Sequence, residues 1–140
     1  MATWSELKDF ARSSFKLAEE RDYSFKVVFK YPGGRLQAVI ASHYEAMGRI
    51  WVDFSSACCR ADRMDAKDAL EHGFNLAVGA VCLDGDVYVI RHTVLLDGIR
   101  REDVPLHLHA VARAADQIER SLGRSRPVRA SMLELADDLQ

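Results

Sequence analysis

The side chains able to do chemistry are few, and their spacing supports none of the common reactions. Ser13-Ser14-Phe15-Lys16 has the Ser-x-x-Lys spacing in which a lysine can take the proton of a serine nucleophile, yet the companion Ser-Asp-Asn and Lys-Thr-Gly sequences are both missing. His107 and His109 are two positions apart, which on a helix turns them about 200° from each other, so one metal ion cannot readily use both. His43, His72 and His92 are scattered, and there is no Cys-x-x-Cys pair. Asp84-Gly85-Asp86 lacks the remaining spacing of a calcium loop and suits a hairpin turn instead. A Gly-rich phosphate loop, a nucleophile elbow and a zinc-protease motif are all missing too. The expectation is a protein without catalytic residues, metal or cofactor, and not an enzyme.

The charge balance bears on the partners. Lys and Arg total 19 against 21 Asp and Glu, a formal net charge of -2 with a pI near 6.2, so bulk attraction for polyanions is absent. Nucleic acid is therefore disfavoured as a direct ligand. A local patch of Arg124, Arg126 and Arg129, with Arg100, Arg101 and Arg120, could still contact phosphate; the same residues suit a solvated linker and helix-end cations. Met1 to Asp9 mixes charged and apolar residues, unlike a signal peptide, and no apolar run approaches the roughly eighteen residues of a membrane span. The three cysteines are odd in number, and Cys58 and Cys59 adjoin, which argues against a disulfide framework. A soluble cytoplasmic protein with reduced thiols and no membrane association is expected.

At 140 residues and 49% apolar content, one compact domain can build its own core. Thr3 and Glu6 have capping-box spacing, and Trp4, Leu7, Phe10, Ala11, Leu17 and Ala18 recur at near-helical intervals, with Phe15 widening the face. They predict a first helix from about Trp4 to Asp22. Alternation at Phe25, Val27, Phe29 and Tyr31 up to Pro32-Gly33-Gly34 predicts a strand and a turn. Leu36 to His43 and Arg49 to Ser55 predict two more, with Leu36, Ala38 and Ile40 on one face of the former and Ile50, Val52 and Phe54 on one face of the latter. Ala66, Ala69, Leu70, Phe74 and Ala77 predict a second helix, capped by Asp65 and ended before Gly79. Ala80 to Leu83 and Val87 to Leu96 flank Asp-Gly and predict a hairpin. The stripe Val104, Leu108, Val111, Ala115, Ile118 and Leu122 predicts a third helix, with Asp103 placed to cap it, Pro105 in its first turn and Gly123 at its end. Residues 124–140 read as a basic linker and a short amphipathic helix through Met132, Leu133, Leu135, Ala136 and Leu139, appended to a domain over 1–123.

This α+β order, α-β-β-β-α-β-β-α, resembles that of type III secretion chaperones and the related YbjN-like proteins, in which a twisted antiparallel sheet is backed by helices. The resemblance is carried by Phe74-Asn75-Leu76-Ala77-Val78-Gly79-Ala80-Val81-Cys82-Leu83-Asp84-Gly85-Asp86-Val87-Tyr88-Val89 and by Leu95-Leu96-Asp97-Gly98-Ile99. It implies dimers, an apolar groove that holds an extended segment of another protein, and no covalent chemistry. The balanced charge and the extra tail place the chain nearer the YbjN-like proteins than a true effector chaperone.

Candidate partner-binding residues are Phe25, Val27 and Phe29 with Trp4 and Phe10, all of which could equally fill the core, and Trp51. Trp51 alternates out of phase with Ile50, Val52 and Phe54, so if those three face the core it lies on the opposite side. By analogy with secretion chaperones, Ala69, Leu70, Phe74 and Val81 are candidate homodimer contacts, although intramolecular packing of the same helix would use the same stripe. The function expected is a chaperone-like adaptor holding a client protein. The alternative is an accessory protein of a nucleic-acid-processing complex that uses Arg124, Arg126 and Arg129.

Overall fold

The computed structural model describes residues 1–123; the expected basic linker and tail helix, with Arg124, Arg126 and Arg129, lie outside the described residues. The elements run α1 (Trp4–Ser14), β1 (Leu17–Glu20), β2 (Ser24–Lys30), β3 (Leu36–Ala46), β4 (Arg49–Arg60), α2 (Ala66–Phe74), β5 (Ala80–Asp84), β6 (Val87–Leu95) and α3 (Val104–Gly123), with short 3-10 turns before α2 and α3. The six strands form one antiparallel sheet in the order β1-β2-β3-β4-β6-β5. The expected α+β class and element order are present, with one strand added.

That strand corrects the first helix, which was expected to reach Asp22 and ends at Ser14. The Thr3 hydroxyl accepts from the Glu6 amide (3.1 Å) and starts α1 as expected. At the other end the Ser13 hydroxyl donates to the Phe10 carbonyl (2.7 Å), a local bond that competes with helix continuation, and Phe15 is already extended. Leu17 to Glu20 then pairs with β2, setting Glu19 opposite Lys26, with the charged groups 3.3 Å apart. Four residues satisfy helical and strand periods alike, so Leu17 and Ala18 extended the helical pattern falsely. Two caps also differ. The Asp65 side chain makes no capping bond, and the Asp103 carboxylate accepts from Arg100 (2.8 Å).

The helices lie on one side of the sheet. α3 packs on β3, β4 and β6, α1 packs against α3, and α2 packs on β5. Every member of the α3 stripe is buried, against Val39, Val52, Phe54 and Ile90 of the sheet; a side chain of this kind contributes about 1.5–3 kcal/mol when fully buried. On β3 it is Gln37, Val39 and Ala41 that face the helices, while Leu36, Ala38 and Ile40 point the other way.

The buried Gln37 belongs to a polar chain that crosses the core. Ser56 donates to Gln37 Oε1 (3.0 Å), and Gln37 Nε2 donates to Glu119 Oε2 (2.5 Å), joining β4, β3 and α3. Burial holds the Glu119 carboxyl above its ordinary value of 4.5, outweighing the opposing Gln37 hydrogen bond. A carboxyl raised by folding favours the native state only while protonated, so its contribution falls as pH climbs from about 4.5 through the raised value. Glu119→Gln, which retains an acceptor for Gln37, is expected to be at least as stable as wild type at neutral pH, with an advantage that shrinks under acid conditions. Urea midpoints across a pH series measure this; a pH-independent difference between the two proteins would exclude the linkage.

Candidate functional site

With all helices on one side, the opposite sheet face has no helix cover among the described residues. Cross-strand pairing assigns its rows: Tyr44, Trp51 and Leu95 at one end; Ser42, Asp53 and Thr93 next; then Lys26, Ile40, Ser55 and Arg91; and Ala57, Val89 and Cys82 further along. Val28, Leu36, Ile40 and Tyr44 are exposed on this face.

A polar clamp divides the apolar rows. Arg91 Nε donates to Asp53 Oδ2 (2.6 Å), Thr93 Oγ1 donates to Asp53 Oδ1 (2.5 Å), and an Arg91 amine reaches the Tyr44 hydroxyl at 3.5 Å. The hydrogen bond and charge of Asp53 hold the Arg91 guanidinium above its ordinary value, so it is a permanent cation at the centre of the face. The Trp51 indole donates to the Ala46 carbonyl (2.9 Å), which lays the half-buried ring along the β3–β4 turn with its polar atom satisfied.

Of the six candidate partner residues, only Trp51 is on this open face. Phe25 and Val27, 1% and 2% exposed, point toward the helices and are core residues, because the phase of β2 turns its large side chains under α1. Trp4 stacks on Phe25 (5.6 Å) and His43 (4.6 Å) and donates to the Asp22 carbonyl (3.0 Å), sealing α1 to the sheet. Phe10 lies under the Arg101 guanidinium, and Phe29 packs against Phe15 and His109. The dimer candidates also separate. Ala69 is buried and Val81 packs near Gly73, whereas Leu70 and Phe74, one helical turn apart, are 71% and 90% exposed. Leu83 on the neighbouring edge strand is exposed as well. The sequence reading did not single out Val28, Leu36, Ile40 and Tyr44 as surface residues. On β3 the outward set Leu36, Ala38 and Ile40 is at least as apolar as the inward set Gln37, Val39 and Ala41, so polarity does not mark which of them faces out.

No family model matches the chain, and no curated protein matches it by sequence. In structure it is similar to a chain of the HopA1-SchA chaperone-effector complex, with a TM-score of 0.55 at 15% identity over 81% of this chain and 88% of that one. The fold is chaperone-like. It is also similar to an uncharacterized protein from Methanothermobacter thermautotrophicus, with a TM-score of 0.51 at 14% identity over 81% and 92% of the two chains. At such identities the likeness is one of fold.

Two of the three thiols are buried. Burial pushes the Cys58 thiol up to about 12 and the Cys59 thiol up to about 11, far from the nucleophilic thiolate. Among the described residues no group of three or more His, Cys, Asp or Glu could hold a metal, and no helix is long and apolar enough to cross a membrane. His92 Nε2 and His107 Nδ1 are 3.1 Å apart, both rings packed with Phe54 under α3. Such a bond needs one donor and one acceptor, so two protonated rings would set donors against each other. Burial lowers both imidazoles below 6.5, with the charge of His92 adding to the effect on His107, and Asp53 and Asp103 only partly oppose this. A histidine depressed by folding supports the native state above its unfolded value, so this contribution is lost as pH falls through about 6.5. Thermal melts from pH 7.5 down to pH 5 (both about) should show stability falling, and His107→Gln should flatten that slope; an unchanged slope in the variant would remove the pair as its source.

Proposed function

We propose that this chaperone-like domain is a non-catalytic, YbjN-like adaptor of the cytoplasm that works as a homodimer and holds an extended segment of a client protein. The observation that carries the reading is the sheet face that no helix covers among the described residues, on which Val28, Leu36, Ile40, Tyr44 and Trp51 stand clear of the core. Covering such a face removes nonpolar area from water at about 25 cal/mol per Å². The outer edges of β1 and β5 are unpaired within the sheet, so an added strand would gain backbone hydrogen bonds beside the apolar contacts. A neighbour of similar fold comes from a chaperone-effector complex, which supports a protein client as the partner class. For self-association, Leu70 and Phe74 form an outward apolar pair on α2 that a second copy could cover.

Affinity purification from the native cytoplasm with quantitative mass spectrometry tests the client reading. The wild type is expected to retain a discrete protein, with Ile40→Asp and Trp51→Asp each reducing recovery about tenfold or more, a loss of about 1.4 kcal/mol in binding. Their circular dichroism should stay that of the wild type, because both side chains are outside the core. Equal recovery by both variants would refute the face. Light scattering tests the dimer: wild type at twice the chain mass and Phe74→Asp at the single-chain mass would support it, and a wild type at single-chain mass would end it.

A further inference from the structure

On the helix side, away from the open face, a cleft of about 430 Å³ lies between the β2–β3 turn and α3, lined by Tyr31, Pro32, Arg35, Arg113, Asp116 and Arg120 among others. The turn residues are held there by backbone pairing, the Tyr31 amide donating to the Arg35 carbonyl (2.8 Å). On α3, positions 113, 116 and 120 are three and four apart and share one helix face.

The charges within the cleft do not cancel. Arg35 engages the Asp116 carboxylate with both arms of its fork, Nε to Oδ1 at 2.8 Å and Nη2 to Oδ2 at 3.3 Å, and donates to the Pro32 carbonyl through Nη1. The pair is largely buried, with side chains 13% and 5% exposed, so Asp116 is already neutralised. Arg113 and Arg120 have no ion-pair partner among the described residues, and they leave two positive charges over. Beside them the Tyr31 hydroxyl is shut off from solvent and has no hydrogen-bond partner among the described residues. Buried polar groups are almost always satisfied, and an orphan among cations points to an oxygen-bearing ligand. Burial, followed by the charge of Asp116, holds the phenol above its ordinary value of 10, so it remains a donor at neutral pH.

We propose that this cleft binds a small phosphomonoester, its phosphate held between Arg113 and Arg120 with one oxygen accepting from the Tyr31 hydroxyl. The group matches in charge and in valence: a phosphomonoester near neutral pH carries up to two negative charges and three terminal oxygens, against two unpaired guanidinium groups and a neutral donor. A carboxylate has one charge and two oxygens and would leave a cation and a donor unmet. The volume argues for an ester over the free ion, since the cleft falls within the roughly 300–1,000 Å³ of small-molecule sites. The Tyr31 ring and Pro32 supply an apolar wall for the organic portion. Arg113, which lines the cleft with Tyr31, is exposed and its side chain is free to rearrange around a ligand.

The site is independent of the open sheet face, so its test does not depend on the client reading. Isothermal titration calorimetry of the full chain at fixed ionic strength would use phenyl phosphate as probe, with inorganic phosphate and benzoate as comparison ligands. The expected result is saturable binding of phenyl phosphate at one site per chain, tighter than either comparison ligand. Arg113→Gln and Arg120→Gln should each weaken it by roughly tenfold. Tyr31→Phe, which deletes only the hydroxyl, should weaken it several-fold, while Arg49→Gln, a surface arginine paired with Asp97, should not change it. Circular dichroism melts of all four variants confirm that each is folded. Failure of phenyl phosphate to saturate, an equal loss in Arg49→Gln, or benzoate binding as tightly would overturn the proposal; inorganic phosphate binding as tightly would overturn its ester component.

Discussion

Burial of one helix against one face of the sheet organises the whole molecule. The α3 stripe from Val104 to Leu122 is enclosed along its length, and the strand residues that enclose it, Val39, Val52, Phe54 and Ile90, alternate out of the plane toward it. Because side chains alternate with a period of two, committing that set to the helix side commits the intervening set to the other side. Trp51, Ile40 and Tyr44 are turned outward as a direct consequence. The uncovered face is therefore the counterpart of the core, produced by the same register.

Polar contacts refine this arrangement at three depths. Ser56, Gln37 and Glu119 cross the core and tie α3 to the middle of the sheet. The Arg35 fork on Asp116 fastens the far end of α3 to the β2–β3 turn, and by consuming that carboxylate it leaves Arg113 and Arg120 without an ion-pair partner among the described residues. On the open face, Asp53 and Arg91 satisfy one another across β4 and β6, which keeps that surface wet at its centre and apolar toward its ends. A flat all-apolar face would invite indiscriminate association, and a charged pair in its middle restricts which partners fit.

The Cys58 and Cys59 thiols are buried and raised, and the half-buried His92 and His107 rings meet between β6 and α3. The open face and the arginine cleft lie on opposite sides of the sheet.

From the residues alone, the number and order of most elements could be read, because they follow from local periods and punctuation: the four-three spacing of α3, the Pro32-Gly33-Gly34 and Asp84-Gly85 turns, and the Thr3 cap all act over a few neighbouring residues. The out-of-phase position of Trp51 was legible for the same reason. What happens between Leu17 and Glu20 was decided by β2, since four residues carry too little pattern to choose between helix and strand until a pairing partner is present. The face of β3 was likewise undetermined, because Leu36, Ala38 and Ile40 are as apolar as Val39 and Ala41. Only packing against α3 distinguishes them, and Phe25 and Val27 turn inward under α1 by the same register. Tyr31, Arg35, Arg113 and Arg120 are separated by most of the chain and become a site solely through the docking of α3 on the β2–β3 turn. Local spacing encodes local structure, whereas the open face and the cleft depend on which distant elements compete successfully for the same buried side.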